Sequence, residues 1–326
     1  MTTTYLQTSG KGAVLTAPAA ATIGFFDGVH RGHLFLIEQL RREALRHGLL
    51  SMVITFDRHP RQVLHADWQP QLLTTLQDKE QLLAQTGIDQ LVVLKFDEQM
   101  AALSAADFMQ QVLKEQLGVS LLLTGYDNHF GHRQPGSLEG FNDYVAYGEA
   151  IGMEVVCGQA AHSSKPLPQP RLNTVSHGST FSSSLVRRLL GEGRVEEAAF
   201  CLGRPYQLKG TVVHGEQHGR QMGFPTANLS LDDPQRLIPL SGVYAVRALL
   251  NGQTHCGMTN IGLRPTFNGH QLTIETHIFD FTGNLYGQQL GLEFVARLRD
   301  EQPYPSPEAL ARQMELDKAR ALSILT

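Results

Sequence analysis

The spacing of apolar residues changes once along the chain, and that change constrains the fold more than any other feature. Up to Gly158, short apolar runs at Leu49 to Phe56, Gln90 to Phe96, Val119 to Thr124 and Met153 to Cys157 alternate with amphipathic helical patterns. Fully apolar strands separated by helices predict βαβ units and a parallel sheet. After Gly203 the period becomes two, with strands predicted at Tyr206 to His214, Gly242 to Leu250, Thr254 to Ile261, Thr273 to Phe279 and Leu290 to Leu298. Alternation of this kind belongs to antiparallel β-structure with one buried face. The Asn251-Gly252 pair between two such runs predicts a type I′ hairpin.

Two patterns imply two domains, and 326 residues fit that number at about 150 residues each. Between Gln159 and Gly178 the chain is rich in Ser and His, with Pro166, Pro168 and Pro170, the composition of an exposed loop. Helical spacing returns from Ser183 to Cys201, broken by Gly191 and Gly193 into two short helices, and the boundary is placed there: residues 1–186 and 187–326.

Helix ends are readable too. His33 opens a helix with Leu34, Ile37, Leu40, Ala44 and Leu45 on one face and Gly48 as its stop. A second opens at Ser104, with Asp107 three residues on and Phe108, Val112 and Leu117 as its apolar stripe. The last has Ser306 as N-cap, Pro307 at the first helical position and an apolar face of Leu310, Met314, Ala321 and Leu322.

Composition excludes several classes. Lys and Arg total 27 against 31 Asp and Glu, a net charge of −4, so the chain lacks the basic footprint of a nucleic-acid or anionic-lipid binder. No uncharged apolar run approaches the roughly 18 to 20 residues of a spanning helix. The segment Ala13 to Phe26 is interrupted by Thr16, Pro18 and Thr22, which makes a first β-strand a better reading than a signal peptide. Cys157, Cys201 and Cys256 are odd in number and form no CxxC, which fits a reducing, cytoplasmic setting.

The densest chemical cluster is Gly24-Phe25-Phe26-Asp27-Gly28-Val29-His30-Arg31-Gly32-His33, where the first strand gives way to a helix. A helix N-terminus offers free N–H groups and partial positive charge, and glycines let a phosphate approach the backbone. His30 and His33, three residues apart, can reach one anion from the same face. An HxxH pair alone lacks the further ligands of a zinc site. In the second half, Gly210 and then Gly219-Arg220-Gln221-Met222-Gly223-Phe224-Pro225-Thr226-Ala227-Asn228-Leu229 read as a glycine-rich flap beside a rigid turn that presents hard oxygen ligands suited to magnesium.

These clusters carry two resemblances. The GxFDGxHxGH run resembles the HxGH nucleotidyltransferase superfamily in its FMN adenylyltransferase branch. Thr55-Phe56 with His59-Pro60, Leu73-Thr74-Thr75 with Asp78-Lys79, Gly125 and Asp127 with Phe130-Gly131, and Ser182 to Arg187 are similar to further motifs of that branch. The sequence departs from the pattern at Asn128-His129, and at Ser184, which keeps a hydroxyl where Thr is usual. The second cluster resembles the GRxxGFPTANL motif of riboflavin kinase. It is preceded by Leu202-Gly203-Arg204-Pro205-Tyr206, similar to the junction of bifunctional riboflavin kinase/FMN adenylyltransferases, and followed by Asn260-Ile261-Gly262, Arg264 to Phe267, Ile274 to His277 and Leu285-Tyr286-Gly287 in family order.

The resemblance implies a Rossmann-like α/β nucleotidyltransferase domain, followed by an antiparallel β-barrel riboflavin kinase domain with a terminal helix. It implies that the first domain binds ATP through Gly24, Phe25, Asp27 and Gly32, with His30 and His33 at the α-phosphate and Ser183, Ser184 and Arg187 at the β- and γ-phosphates. Phe56, His59 and Asp127 would face the flavin. In the second domain Gly210, Gly219, Arg220, Gly223 and Pro225 would bind ATP, Thr226 and Asn228 would hold Mg2+, and Glu275 would be the base for the riboflavin 5′-hydroxyl. Periodicity alone leaves open which way Glu275 points. The implied partners are small molecules, namely ATP, riboflavin, FMN and FAD, with no nucleic acid or membrane, in a monomer or weak homo-oligomer. A chain with one live activity and a flavin-sensing protein without chemistry are the rival readings; the second has no need of a base beside a magnesium site.

Overall fold

The computed structural model describes residues 1–7, 17–64, 67, 69, 71–125, 130–131, 140–161, 180–215, 223–266 and 269–326. The chain forms two compact units, Met1–Phe181 and Ser182–Thr326.

The first unit is a six-stranded sheet: β1 (Thr2–Leu6), β2 (Ala19–Ile23), β3 (Leu50–Phe56), β4 (Gln90–Leu94), β5 (Val119–Thr124) and β6 (Glu154–Cys157). The order is β1-β4-β3-β2-β5-β6 and every pairing is parallel. Residues of β2 alternate between two cores. Ala19, Ala21 and Ile23 pack with Met52 and Ile54, whereas Ala20 packs with Val53, Leu91 and Leu121. Burial on both faces is why these strands read as continuous apolar runs. The chain leaves β2 toward β3 on one side and later returns to β5 on the other. The crevice beyond the end of β2 is therefore the topological switch point, where open α/β sheets bind ligands.

Helix α1 (Arg31–His47) starts at that crevice and ends at Gly48, whose φ of 64° is left-handed. Its buried face is Ile37, Leu40 and Ala44. Leu34 and Leu45, expected on that face, are exposed, Leu45 by 84%. A step of one residue from Ala44 turns Leu45 about 100° away from the core. After α2 (Pro60–Leu64), α3 (Leu76–Ala84) and α4 (Glu98–Ala102), the helix capped by Ser104 begins as α5 (Ala105–Asp107) and continues as a π-helix over Phe108–Gln116. Phe108, Val112 and Leu117, spaced four and five apart, are buried as expected, but their wider spacing suits π winding. Helix α6 (Phe141–Ala150) leads to β6. Strand β1 escapes the sequence reading because Thr2-Thr3-Thr4-Tyr5-Leu6 at the sheet edge buries only Leu6.

The second unit opens with α7 (Ser183–Gly191) and α8 (Val195–Leu202), the two short helices expected. A closed barrel follows: β7 (Tyr206–Val213), β8 (Ala227–Leu231), β9 (Gly242–Leu250), β10 (Gln253–Thr266), β11 (Gly269–Ile278) and β12 (Gln289–Arg299). Its order is β10-β11-β8-β7-β12-β9, all antiparallel. Asn251 (φ 49°) and Gly252 (φ 79°) are both left-handed, as a type I′ turn requires. Strand β8 was not expected; its five residues follow directly on the glycine-rich segment. Helix α9 (Pro307–Leu325), capped by the Ser306 hydroxyl, lays Ala321 and Leu325 against Val243, Ala245, Met258 and Leu298.

Candidate functional site

The loop after β2 is held in an unusual backbone path, with left-handed φ at Phe26 (53°), Gly28 (82°) and Val29 (39°). Strain of this kind persists only where the surroundings enforce it, and the enforcing contacts come from far along the chain. The Asp27 carboxylate accepts from the backbone N–H of Leu73 at 3.0 and 3.1 Å and of Thr74 at 3.1 Å, and from the Thr74 hydroxyl at 3.1 Å. The Gly28 N–H donates back to Thr74 Oγ1 at 3.0 Å. Asp27, proposed from sequence to bind ATP, is thus seen clamping the loop to Leu73-Thr74.

His30 is the N-cap of α1, its Nδ1 accepting from the His33 N–H at 3.3 Å. The two imidazoles stack with centroids 3.6 Å apart and 19° between planes. Burial, then the neighbouring His30 and Lys79, hold the His33 imidazole well below the usual histidine range and therefore neutral. A Cβ on Gly32 would come within 2.9 Å of the Phe181 carbonyl oxygen and 3.0 Å of the His30 ring, so glycine is needed there for packing. Gly24 lies against the Phe26 ring in the same way.

Phe25 meets His59 edge-on at 4.7 Å, and Phe56 meets Phe96 at 5.3 Å. Phe25, Phe56 and His59 thus gather at the ends of β2 and β3, beside Lys79, a residue the sequence reading gave no site role. Asp127 lies outside the described residues. Ser183, Ser184 and Arg187 lie on α7 of the second unit, where Ser182 is the N-cap, accepting from the Leu185 N–H at 3.2 Å.

In the barrel, β11 pairs with β8 so that Glu275 stands opposite Asn228 and Thr276 opposite Ala227. Ile274, Thr276 and Ile278 are buried. Alternation therefore turns Glu275 and His277 to the other face, where they line a cavity of about 680 Å3 with Thr226, Asn260, Tyr304 and Leu310. The orientation of Glu275 is settled by this register. The Thr226 hydroxyl donates to Glu275 Oε2 at 3.5 Å. Thr226 also lines a second cavity, of about 650 Å3, with Val212, Phe281, Asn284 and Tyr286.

The Pro225 carbonyl accepts from His277 Nδ1 at 2.9 Å, fixing the turn before Thr226 to β11. Burial holds His277 below the usual histidine range. Gly210 allows close strand approach, since a Cβ there would lie 2.1 Å from the Ser230 carbonyl oxygen. Gly223 has a left-handed φ of 84°. A Cβ at Gly215, a position the sequence did not mark, would lie 2.2 Å from the Asn228 side-chain nitrogen. Gly219 and Arg220 lie outside the described residues. Among those described, no group of three His, Cys, Asp or Glu residues could hold a metal ion, and no helix is long and apolar enough to cross a membrane.

A parallel α/β unit with a phosphate-suited helix start, joined to a six-stranded barrel with a carboxylate beside a threonine hydroxyl and Asn228 lining a neighbouring cavity with His214 and Gly215, defines a two-domain phosphorus-transfer protein. Residues 14–165 match the family model of FAD synthetase and residues 202–325 that of riboflavin kinase. Similar proteins include the bifunctional riboflavin kinase/FMN adenylyltransferases of Listeria monocytogenes, 38% identical over 91% of this chain and 89% of the relative, and of Bacillus subtilis, 36% identical over 94% and 92%. The Escherichia coli enzyme of that name is 35% identical over 92% and 90%. A crystal structure described as a macrolide-efflux protein from Streptococcus pneumoniae shares the fold, with a TM-score of 0.84 at 28% identity over 97% of both chains. The chain belongs to the bifunctional riboflavin kinase/FMN adenylyltransferase family.

Proposed function

We propose that residues 187–326 phosphorylate riboflavin to FMN with ATP, and that residues 1–186 transfer AMP from ATP to FMN, giving FAD and pyrophosphate. The observation that carries this reading is the register of β8 against β11. It sets Glu275 beside Asn228, with Thr226 3.5 Å away at the seam of two cavities. The larger cavity, lined by Val243, Met258 and Leu310, suits the flavin ring, and the other suits ATP. Glu275 then takes the proton of the 5′-hydroxyl as its oxygen attacks the γ-phosphorus and ADP leaves. The hydroxyl of Thr226 and the amide oxygen of Asn228 are hard donors that fit Mg2+. When bound, that ion supplies neutralisation of the β- and γ-phosphate oxygens. Gly210, Gly219, Arg220, Gly223 and Pro225 are assigned to ATP.

In the first unit an FMN phosphate oxygen attacks the α-phosphorus of ATP and pyrophosphate leaves. His30, His33 and the N–H groups at the start of α1 stabilise charge on the α-phosphate, with Gly24, Phe25, Asp27 and Gly32 shaping that loop. Phe56, His59 and Asp127 are assigned to the flavin, and Ser183, Ser184 and Arg187 to the β- and γ-phosphates. The protein acts in the cytoplasm on small molecules, as a monomer or weak homo-oligomer. Incubating it with riboflavin, ATP and Mg2+ and separating the flavins by chromatography tests both reactions: FMN appears first, then FAD. FMN that is never converted refutes the first-unit reading, and unreacted riboflavin refutes the second.

A further inference from the structure

Lys79, the fourth residue of α3, is 3% exposed. Its Nζ donates to the Phe25 carbonyl at 3.0 Å, to Thr55 Oγ1 at 3.0 Å and to the Phe56 carbonyl at 3.2 Å. It also lies 4.2 Å from the centre of the Phe25 ring, which meets the edge of His59 and packs against the apolar core. An ammonium has three protons, and here each has an acceptor, none of them a carboxylate. Burying a cation without a directly bonded anion is costly, so a wholly structural plug would be better made from an apolar side chain. What the charge adds is positive potential beneath a loop suited to phosphate.

We propose that Lys79 is a positioning residue for adenylyl transfer, its buried ammonium pinning the Phe25 turn to the end of β3 and presenting positive charge behind His33. The proposal rests on the adenylyltransferase reading of the first unit. Lys79 is almost wholly buried and acts through the Phe25 and Phe56 carbonyls and the Phe25 ring, which meets His59.

The geometry carries a pH dependence. Burial brings the Lys79 amine down to about 8, against the pull of Asp27, Glu80 and Asp57. From α1 the neutral His33 faces it as a like charge if protonated. Below about pH 8 the ammonium satisfies all three acceptors. Above it, the amine has two protons for three acceptors, one bond is lost, and the charge beneath the loop disappears. FAD formation should therefore fall as pH rises through about 8, whereas FMN formation by the same chain should not follow that limb.

The test is FAD formation from FMN and FMN formation from riboflavin, measured from pH 6.5 to 9.5 in wild type, Lys79→Met and Thr55→Val. Lys79→Met keeps the side-chain length without charge or donors. It should lower kcat for FAD formation about 10²-fold, the scale of a misplaced site, remove the alkaline limb, and leave riboflavin phosphorylation unchanged. Thr55→Val deletes one acceptor of the charged form and should move the limb to lower pH. If circular dichroism shows that Lys79→Met does not fold, Thr55→Val decides alone: a shifted limb supports the role and an unshifted one overturns it. A folded Lys79→Met protein with wild-type rate and pH profile overturns the role of Lys79 while leaving the adenylyltransferase reading intact. Wild type that makes FMN but no FAD overturns that reading, and this role with it.

Discussion

Removing the Asp27 carboxylate should unfold the loop that the first site depends on, and the coordinates set the scale. Three donors converge on Asp27 Oδ1: the Leu73 N–H at 3.0 Å, the Thr74 N–H at 3.1 Å and the Thr74 hydroxyl at 3.1 Å; the Leu73 N–H also reaches Oδ2. Hydrogen bonds to an ionised group are each worth about 1.5–3 kcal/mol net, and breaking a buried network by deleting one partner costs about 3–5 kcal/mol. Asp27 is only 4% exposed, so Asp27→Ala should cost about 3–5 kcal/mol. Asp27→Asn is a sharper probe. An amide oxygen at the Oδ1 position keeps the three contacts there, while the second leg to Leu73 is replaced by an amide NH2 group facing an N–H and the charge assistance is lost, a cost of about 1–2 kcal/mol. With a urea m-value of about 2 kcal/mol/M, the alanine midpoint should fall by about 2 M and the asparagine midpoint by about 0.5–1 M. The assay is urea unfolding followed by circular dichroism, with FAD formation recorded in parallel. Equal midpoints for Asp27→Ala and wild type, with FAD formation lost, would show that Asp27 acts on nucleotide and that the clamp is incidental.

Three further outcomes are expected. Glu275→Gln should keep riboflavin affinity and slow FMN formation about 10²-fold, since an amide cannot take the 5′-hydroxyl proton; normal turnover at saturating riboflavin would remove Glu275 from the mechanism. His30→Ala with His33→Ala should abolish conversion of FMN to FAD and leave FMN formation intact, measured by chromatography of the flavins; equal loss of both activities in folded protein would contradict the two-site assignment. His33 and His277 are both held below the usual histidine value of about 6.5. The unfolded chain therefore binds more protons below that pH, and stability should be lost as pH falls through about 6.5. Urea midpoints at pH 7.5 and 5.5 check the sign, and a higher midpoint at pH 5.5 would refute it.

What the sequence makes legible is whatever the neighbours along the chain decide. Strands β3, β4 and β5 announce themselves because both faces are buried, so their apolar runs are unbroken; Asn251-Gly252 and Ser306-Pro307 specify a turn and a helix start by local stereochemistry. What stays hidden depends on partners far away. Strand β1 has one buried side chain, and only pairing with β4 makes it a strand. Strand β8 follows a glycine-rich segment and is recognisable only by its pairing with β7 and β11. The direction of Glu275 follows from a register fixed by Asn228, 47 positions earlier. Lys79 falls within a motif in the sequence, but its burial beneath the ends of β2 and β3 shows only once α3 is packed there.

The chemistry of the two nucleophiles explains why the two sites differ in charge. A riboflavin hydroxyl is a weak nucleophile until its proton is taken, so the barrel must keep a carboxylate beside the transferring phosphate. That placement is tolerable where a divalent cation compensates it, the role proposed for Thr226 and Asn228. The phosphate of FMN is already an anion and needs no base; the task in the first unit is to let two anions meet. A free carboxylate there would add repulsion, and the one acidic residue in the loop from Gly24 to His33, Asp27, has its charge taken up by the N–H groups of Leu73 and Thr74. Groups described at that crevice include the stacked imidazoles of His30 and His33, the second held neutral by burial, the N-terminus of α1 and the buried ammonium of Lys79. On the proposed reading, the N–H donors and the neutral His33 in front and the buried Lys79 cation behind would lower that repulsion during adenylyl transfer.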